Sequence, residues 1–138
     1  MPIQQISVFL PNKPGELANF FEVLMDNQIY IRSLTVAETE DYGLLLLLVD
    51  QFDKCISLLE DKDHLYSITE VVAVRLSDNI AGLYDVAKTL GEHEINIDYL
   101  YTSLIDDKPL VILRLSDNKN GAEALKNKGF IVIDDLVR

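Results

Sequence analysis

Cysteine is nearly absent from this sequence of 138 residues, which contains only Cys55. One cysteine excludes an intramolecular disulfide and a cysteine-based zinc site. Such scarcity suits a protein of the reducing cytosol. No triad signature surrounds Cys55, so we expect it to have no nucleophilic role.

Basic side chains are also scarce, since 12 lysines and arginines stand against 23 aspartates and glutamates, giving a net charge of −11. Phosphate contacts need clustered lysine and arginine, so we expect neither a nucleic acid nor an anionic membrane as a partner. We interpret the acidic excess as a contribution to solubility.

Long apolar runs are missing too. The longest, residues 44–49, falls far short of the roughly 20 residues that a membrane-spanning helix needs. Residues 1–5 lack the basic segment and apolar core of a secretion signal. Together with the single cysteine, these features predict a cytoplasmic protein.

The sequence contains no P-loop, no dinucleotide-binding glycine motif, no nucleophile elbow and no zinc motif. Neither His64 nor His93 has a cysteine or carboxylate at metal-binding spacing, so both are expected to be solvent-exposed. We therefore predict no catalytic residue, no metal, no cofactor and no enzymatic activity.

An internal repeat is the strongest feature that is present. Sliding the sequence against itself by 66 positions aligns apolar residues without a gap from the first predicted strand to the last predicted helix, and such a constant register favours duplication. The matched pairs include Val8 and Val74, Leu17 and Leu83, Leu24 and Leu90, Ile29 and Ile95, Leu34 and Leu100, and Leu59 and Leu125. We predict two modules, residues 1–71 and 72–138, that pack closely because no flexible linker separates them.

Both halves predict the order strand, helix, strand, strand, helix, strand, from alternating patterns, helical spacing of apolar residues and turn residues. In the first half these elements are residues 3–10, 16–27, 30–37, 44–50, 52–61 and 65–71. In the second half they are residues 72–76, 81–93, 95–104, 110–115, 119–128 and 130–137. The order βαββαβ predicts an α+β fold of two ferredoxin-like modules side by side, with antiparallel sheets and the helices on one face of each.

A short segment after the first strand carries a family resemblance. Residues 12–17 read N-K-P-G-E-L and resemble the D/N-x-P-G-x-L signature of ACT domains. Residues 94–97, E-I-N-I, resemble the segment with which that family enters its second strand. The resemblance extends over the whole chain and implies a stand-alone tandem ACT protein of the regulatory, amino-acid-binding type.

The resemblance implies a ligand held between the two repeats, with Asn12 in the loop of one and Asn96 entering the strand of the other. The residue types of this loop also favour ligand binding on physical grounds. Pro14 suits a helix start, and Gly15 lets a ligand approach the backbone. The helix that follows presents unpaired N–H groups to a carboxylate. A tight turn without a ligand is the alternative interpretation of the same bend. The expected ligand-binding residues are Asn12, Lys13, Pro14, Gly15, Glu16, Leu17, Asn96, Ile97, Tyr101 and Ser103.

The mirror-related site is expected to be weaker. Asp78 and Asn79 replace the first loop there, and Tyr30 replaces the strand asparagine. The Asp78 carboxylate would repel a ligand carboxylate.

Two functions remain open from the sequence. The first is a regulatory sensor that binds an amino acid or similar small carboxylate, forms a homodimer and signals allosterically to a separate metabolic enzyme. The second is a ligand-free interaction module that assembles with or regulates such an enzyme.

Overall fold

The computed structural model describes residues 3–38, 42–77 and 79–134. Its elements confirm the predicted α+β order of two ferredoxin-like modules. They are β1 (Ile3–Pro11), α1 (Glu16–Asp26), β2 (Ile31–Glu38), β3 (Tyr42–Val49), α2 (Phe52–Asp61), β4 (Leu65–Arg75), α3 (Asn79–Glu92), β5 (Ile97–Ile105), β6 (Lys108–Leu115), α4 (Asn118–Asn127) and β7 (Val132–Ile133).

The described residues form two compact units. The first unit comprises residues 4–69, and the second comprises Ile3 with residues 70–134. The boundary predicted between residues 71 and 72 lies inside β4. No helix among the described residues has the length and apolarity that crossing a bilayer requires.

In the first unit, β3 lies between β1 and β2 and pairs antiparallel with both. This central position accounts for its run of leucines, because a strand with neighbours on both sides meets little solvent. Helices α1 and α2 cover one face of the sheet and close an apolar core. The buried members of this core are Ile6, Val8, Leu10, Phe20, Leu24, Ile29, Leu45, Leu47, Val49, Cys55 and Leu59.

In the second unit the strand order is β5-β6-β4-β7, and every pairing is antiparallel. Helices α3 and α4 pack against each other and close the second core on one face of this sheet. Its buried members are Val72, Val74, Leu76, Val86, Leu90, Ile95, Val111, Leu113, Leu115 and Leu125.

Both units carry a β-bulge at the same repeat position. The pairing of β2 with β3 shifts between Ile31 and Ser33, and the pairing of β5 with β6 shifts between Ile97 and Tyr99. A bulge inserts one extra residue and exchanges the faces on which later side chains lie. The repeat therefore extends from apolar matches to a specific backbone irregularity.

Several predicted boundaries are wrong. Residues 65–71 and 72–76 were expected to form two strands, but Leu65–Arg75 is one, since residues 70–74 contain three β-favouring valines and no glycine or proline. Of the strand expected at 130–137, residues 135–137 lie outside the described residues, and only Val132–Ile133 form a strand in the part that is described.

The turn expected at residues 106–109 occupies only two residues. Asp106 and Asp107 both have left-handed backbone angles, with φ of 53° and 62°. This is the geometry of a two-residue hairpin loop whose twist matches the flanking strands, and aspartate tolerates it better than most residues. Lys108 and Pro109 therefore begin β6.

Candidate functional site

The loop between β1 and α1 contains four of the predicted ligand-binding residues and is open to solvent, and two more, Glu16 and Leu17, begin α1. Asn12, Lys13, Pro14 and Gly15 are exposed, and Glu16 is half-buried. The loop is stabilised by a hydrogen bond from the Lys13 amide to the Pro11 carbonyl, at 2.9 Å. A second bond joins the Glu16 amide to the Lys13 carbonyl at 3.3 Å.

Gly15 gives this bend its shape. It caps α1 with φ of 88° and ψ of −17°, a left-handed conformation that other residues adopt at a cost. A β-carbon added at Gly15 would find no atom of the described chain within 4 Å. The bend is therefore accessible, with room for a ligand against its backbone.

The first turn of α1 presents amide groups that the described chain leaves unpaired. The Asn19 amide donates to the Gly15 carbonyl at 3.0 Å, but no acceptor within the described residues pairs with the Leu17 or Ala18 amide, and no side chain caps the helix. These amides lie at the positive end of the helix dipole. An anion, above all a carboxylate, is the ligand that such a helix start favours.

Helical spacing places Leu17 on the same face of α1 as Phe20 and Leu24, but it is not buried with them. Its side chain is 37% exposed, whereas Phe20 and Leu24 on the same helix are 2% exposed. Leu17 therefore presents apolar surface beside the unpaired amides, which suits its predicted place among the ligand-binding residues better than a place in the core.

The backbone around Asn96 is held by a two-way clamp to the end of β6. The Asn96 amide donates to Ser116 Oγ, and the Ser116 amide donates to the Asn96 carbonyl, each at 2.9 Å. The first unit repeats this clamp, because the Tyr30 amide donates to Asp50 Oδ1 at 3.0 Å and the Asp50 amide donates to the Tyr30 carbonyl at 3.1 Å. Both predicted strand-entry positions are thereby fixed in the same way.

The side chain of Asn96 is exposed, and its amide nitrogen donates to Asp98 Oδ1 at 3.0 Å. The other carboxylate oxygen of Asp98 lies 3.8 Å from Arg114 Nε. Asp98 thus orients the Asn96 amide, whose carbonyl oxygen has no donor among the described residues. Sequence analysis missed Asp98, although its place two residues after Asn96 is a signal for a polar contact.

The bulge at Asp98 separates the remaining predicted residues. Ile97 packs against the second core, on the helix side of the sheet. Tyr101 and Ser103 pair with Ile112 and Leu110, which lie outside that core, so they face the opposite side. Burial raises the pKa of Tyr101 well above its usual range, with a smaller contribution from Tyr99.

A cavity of about 420 Å³ in the second unit lies beside the start of α3. Its volume is in the range of small-ligand pockets. Leu83, the repeat partner of Leu17, contributes to its wall with Leu76, Thr102, Ser103, Leu104 and Pro109.

Neither Asn79 nor Tyr30, the described residues of the predicted weaker site, lines this cavity. Of the residues expected there, Asp78 lies outside the described residues, Asn79 is the first residue of α3, and Tyr30 is 66% exposed just before β2.

The edge strands of both units expose apolar side chains. Among the described strands, β2 pairs only with β3, and β5 pairs only with β6. Leu34 is 38% exposed and its repeat partner Leu100 is 42% exposed. An edge that shows unpaired backbone and apolar side chains is suited to pairing with another strand.

The cysteine and the two histidines are not among the predicted site residues. Cys55 is fully buried, and burial raises the pKa of its thiol to about 11, with a smaller contribution from the Asp50 carboxylate. His64 was expected to be solvent-exposed, but it is half-buried. Its ring packs edge-on against the Phe20 ring, with 5.4 Å between the ring centroids. His93 is exposed, as expected. No group of three metal-ligating side chains occurs within the described ranges.

Comparison with solved structures supports the fold over the full length. A protein from Bacteroides thetaiotaomicron of known crystal structure is 31% identical, with 100% of this chain and 97% of that chain covered and a TM-score of 0.92. The ligand-free regulatory subunit of aspartate kinase from Thermus thermophilus is 16% identical over 94% of both chains, with a TM-score of 0.66.

A third structure, the aspartate kinase of Clostridium acetobutylicum, is 11% identical over 91% of this chain and 33% of that chain, with a TM-score of 0.59. The two aspartate kinase structures show similarity of fold alone. No curated protein sequence matches this one. A family model described as an ACT domain pair matches residues 1–138. The chain therefore belongs to the family of ACT domain pairs.

Proposed function

We propose that this protein binds a free amino acid, or a similar small carboxylate, and regulates a separate metabolic enzyme without catalysing a reaction itself. One observation carries the proposal: the Gly15 bend is open, and the Leu17 and Ala18 amides beside it have no acceptor within the described chain. A ligand carboxylate would accept hydrogen bonds from these amides at the positive end of α1. Lys13, exposed in the same loop, adds a positive charge.

The ammonium group of the ligand would meet Asn96. Because the Asn96 amide nitrogen already donates to Asp98, the carbonyl oxygen of that amide is the atom offered to an ammonium donor. The Asp98 carboxylate lies beside it and favours a cation further. Loop and strand entry thus offer complementary charges to the two ends of an amino acid.

We further propose that the loop and the strand entry of one site come from two copies of the chain, which a homodimer brings together. Edge strand β2 of one copy would pair with edge strand β5 of the other, covering Leu34 and Leu100, which a lone copy exposes. Two equivalent sites would then form, each with Asn12 from one copy and Asn96 from its partner. Ligand would stabilise this pairing, and the enzyme partner would respond to the change.

A separate enzyme as partner is suggested by the Thermus thermophilus structure, which is the regulatory subunit of an enzyme and has the same fold. The alternative function is a ligand-free interaction module that assembles with such an enzyme. The exposed apolar edges favour it as much as they favour the homodimer. Calorimetry of the purified protein against each of the twenty amino acids separates the two, because an interaction module would give no heat with any of them.

The ligand site is tested by Asn12→Ala and Asn96→Ala, with Asn127→Ala as the control for an exposed asparagine elsewhere. Losing one hydrogen bond to a charged ligand group costs about 1.5–3 kcal/mol, so each site variant should bind roughly ten- to hundredfold more weakly. The control should bind normally. Loss from neither site variant would remove the site.

Mixing the two site variants tests the homodimer. If each site takes Asn12 from one copy and Asn96 from the other, a mixed dimer contains one intact site, and ligand binding returns on mixing. If both residues come from one chain, mixing restores nothing.

A further inference from the structure

A second cavity, of about 410 Å³, lies in the second unit between α4 and strands β4 and β7. It is separate in sequence from every residue of the proposed ligand site. Apolar side chains of Val72, Ala122 and Val132 contribute to its walls, and Asn118, Lys119 and Lys126 lie on its α4 side.

In the first repeat, the positions that correspond to the lining of this cavity carry larger side chains. Phe52, Ile56 and Tyr66 occupy the positions that match Asn118, Ala122 and Val132, and all three pack against the first core. Tyr66 also donates from its hydroxyl to Glu60 Oε2 at 2.9 Å. The cavity in the second unit therefore corresponds to three smaller side chains at matched positions of one fold.

Charge also changes at positions that line the cavity. Asp53 and Glu60 on α2 match Lys119 and Lys126 on α4, so two acidic positions become basic in a chain whose net charge is −11. Glu70, Glu123 and Asp134 also line the cavity, which gives it groups of both signs around apolar walls.

Asn118 fixes one side of the cavity. Its Oδ1 accepts from the Leu115 amide at 3.2 Å, and its Nδ2 donates to the Glu70 carbonyl at 2.9 Å. The start of α4 is thereby tied to β4, which holds the cavity at a defined width. A pocket that is already formed loses little ordering entropy when a ligand enters.

We propose that this cavity is a second ligand site, for a small zwitterion with a branched apolar side chain. The apolar side chain would lie against Ala122 and Val132, the ligand carboxylate would meet Lys119 and Lys126, and its ammonium would meet Glu70 or Glu123. An ion with one charge would leave groups of the opposite sign uncompensated. This site would work whether or not the first loop binds anything.

Leucine is the probe, followed by two-dimensional ¹⁵N–¹H NMR of the amides around the cavity. Leucine should shift the Ala122, Lys126 and Val132 resonances in a saturable way. 4-Methylpentanoate, which lacks the ammonium, and isopentylamine, which lacks the carboxylate, should bind roughly tenfold more weakly because one charged contact is lost. Equal binding of either analogue would overturn the proposal of a zwitterion.

The double variant Ala122→Ile/Val132→Tyr places the residues of the first repeat in the cavity and should abolish these shifts. If the double variant fails to fold, Lys126→Glu provides the test, because it changes only an exposed side chain. This variant should bind leucine at least about tenfold more weakly. Lys128→Glu makes the same charge change on an exposed residue outside the cavity lining and should bind leucine normally. Unchanged leucine binding in Lys126→Glu, or no leucine shifts in the parent protein, would overturn the proposal.

The experiment is repeated in the Asn12→Ala/Asn96→Ala background. Failure of the first-loop site alone leaves the shifts around Ala122 intact, whereas failure of the cavity site alone leaves ligand binding sensitive to Asn12 and Asn96.

Discussion

A β-carbon on Gly121 would stand 2.5 Å from Cδ1 of Leu115. The matched residues of the first repeat are Cys55 and Val49, both buried. The longer leucine side chain therefore takes the space that the cysteine side chain fills in the first repeat. This exchange explains a glycine in the interior of α4, where no turn or left-handed conformation requires one.

We predict that Gly121→Ala destabilises the protein by up to about 2 kcal/mol, because overpacking against Leu115 costs roughly 1–3 kcal/mol and the helix preference of alanine returns about 1 kcal/mol. Leu115→Val, which restores the first-repeat residue, should recover part of this loss in the double variant. Urea denaturation measures both. Gly91→Ala is the control, since Gly91 is also helical and has open space around it, and it should be neutral or stabilising. Equal effects of the two glycine substitutions would contradict the packing explanation.

The Gly15 bend gives a second prediction. Gly15→Ala forces an alanine into the left-handed region, so we expect a loss of roughly 1–2 kcal/mol in unfolding free energy without any clash. If the bend binds the ligand, affinity should fall as well. Gly43→Ala, with open space and no left-handed angle, should cost less and leave affinity unchanged. Thermal denaturation and calorimetry give the two readouts, and an unaffected stability would show that the bend tolerates another conformation.

The matched core leucines give a third prediction. Leu59 and Leu125 are 66 positions apart and at most 1% exposed. Replacing either by alanine removes buried apolar surface and leaves a cavity, so each should cost about 2–5 kcal/mol. Leu65→Ala, at a side chain that is 68% exposed, should change stability by less than about 0.5 kcal/mol. A core variant as mild as the Leu65 control would mean that its site collapses around the smaller side chain.

Sequence alone predicted the element order and the tandem family because apolar periodicity and the constant offset reflect which faces are buried. The continuous strand Leu65–Arg75 was harder to predict, since residues 70–74, between the two repeats, contain no glycine or proline to mark where one strand ends. The bulge at Asp98 and its exchange of faces came from backbone pairing between strands, which no local pattern specifies.

The candidate site was likewise predictable only in part. The Pro14–Gly15 bend was visible because it depends on residue types with special backbone preferences. Two other features were not predicted: the contact between Asn96 and Asp98 and the hydrogen bonds to Ser116. A polar side chain can find many different hydrogen-bond partners, so its residue type does not specify which one it meets. The cavity beside α4 emerges only when side-chain volumes at matched positions of the two repeats are compared.

The buried thiol gives the last prediction. Burial raises the pKa of Cys55 to about 11, so the folded chain keeps its proton at pH values where the unfolded chain, with an ordinary pKa near 8.5, releases it. The contribution of Cys55 to stability is thus fully present below the unfolded pKa and is lost as pH rises through about 11. Between these values, the unfolding free energy of the parent protein should fall more steeply with pH than that of Cys55→Ala.

Comparing slopes separates this ionisation from the constant cost of removing the side chain, because all other titrating groups are common to both proteins. The same burial should protect the thiol from a chromogenic disulfide reagent at pH 8, with full reaction only after unfolding in urea. Rapid labelling of the folded protein, together with parallel pH slopes, would show that Cys55 is accessible and that its burial contributes nothing to the alkaline loss of stability.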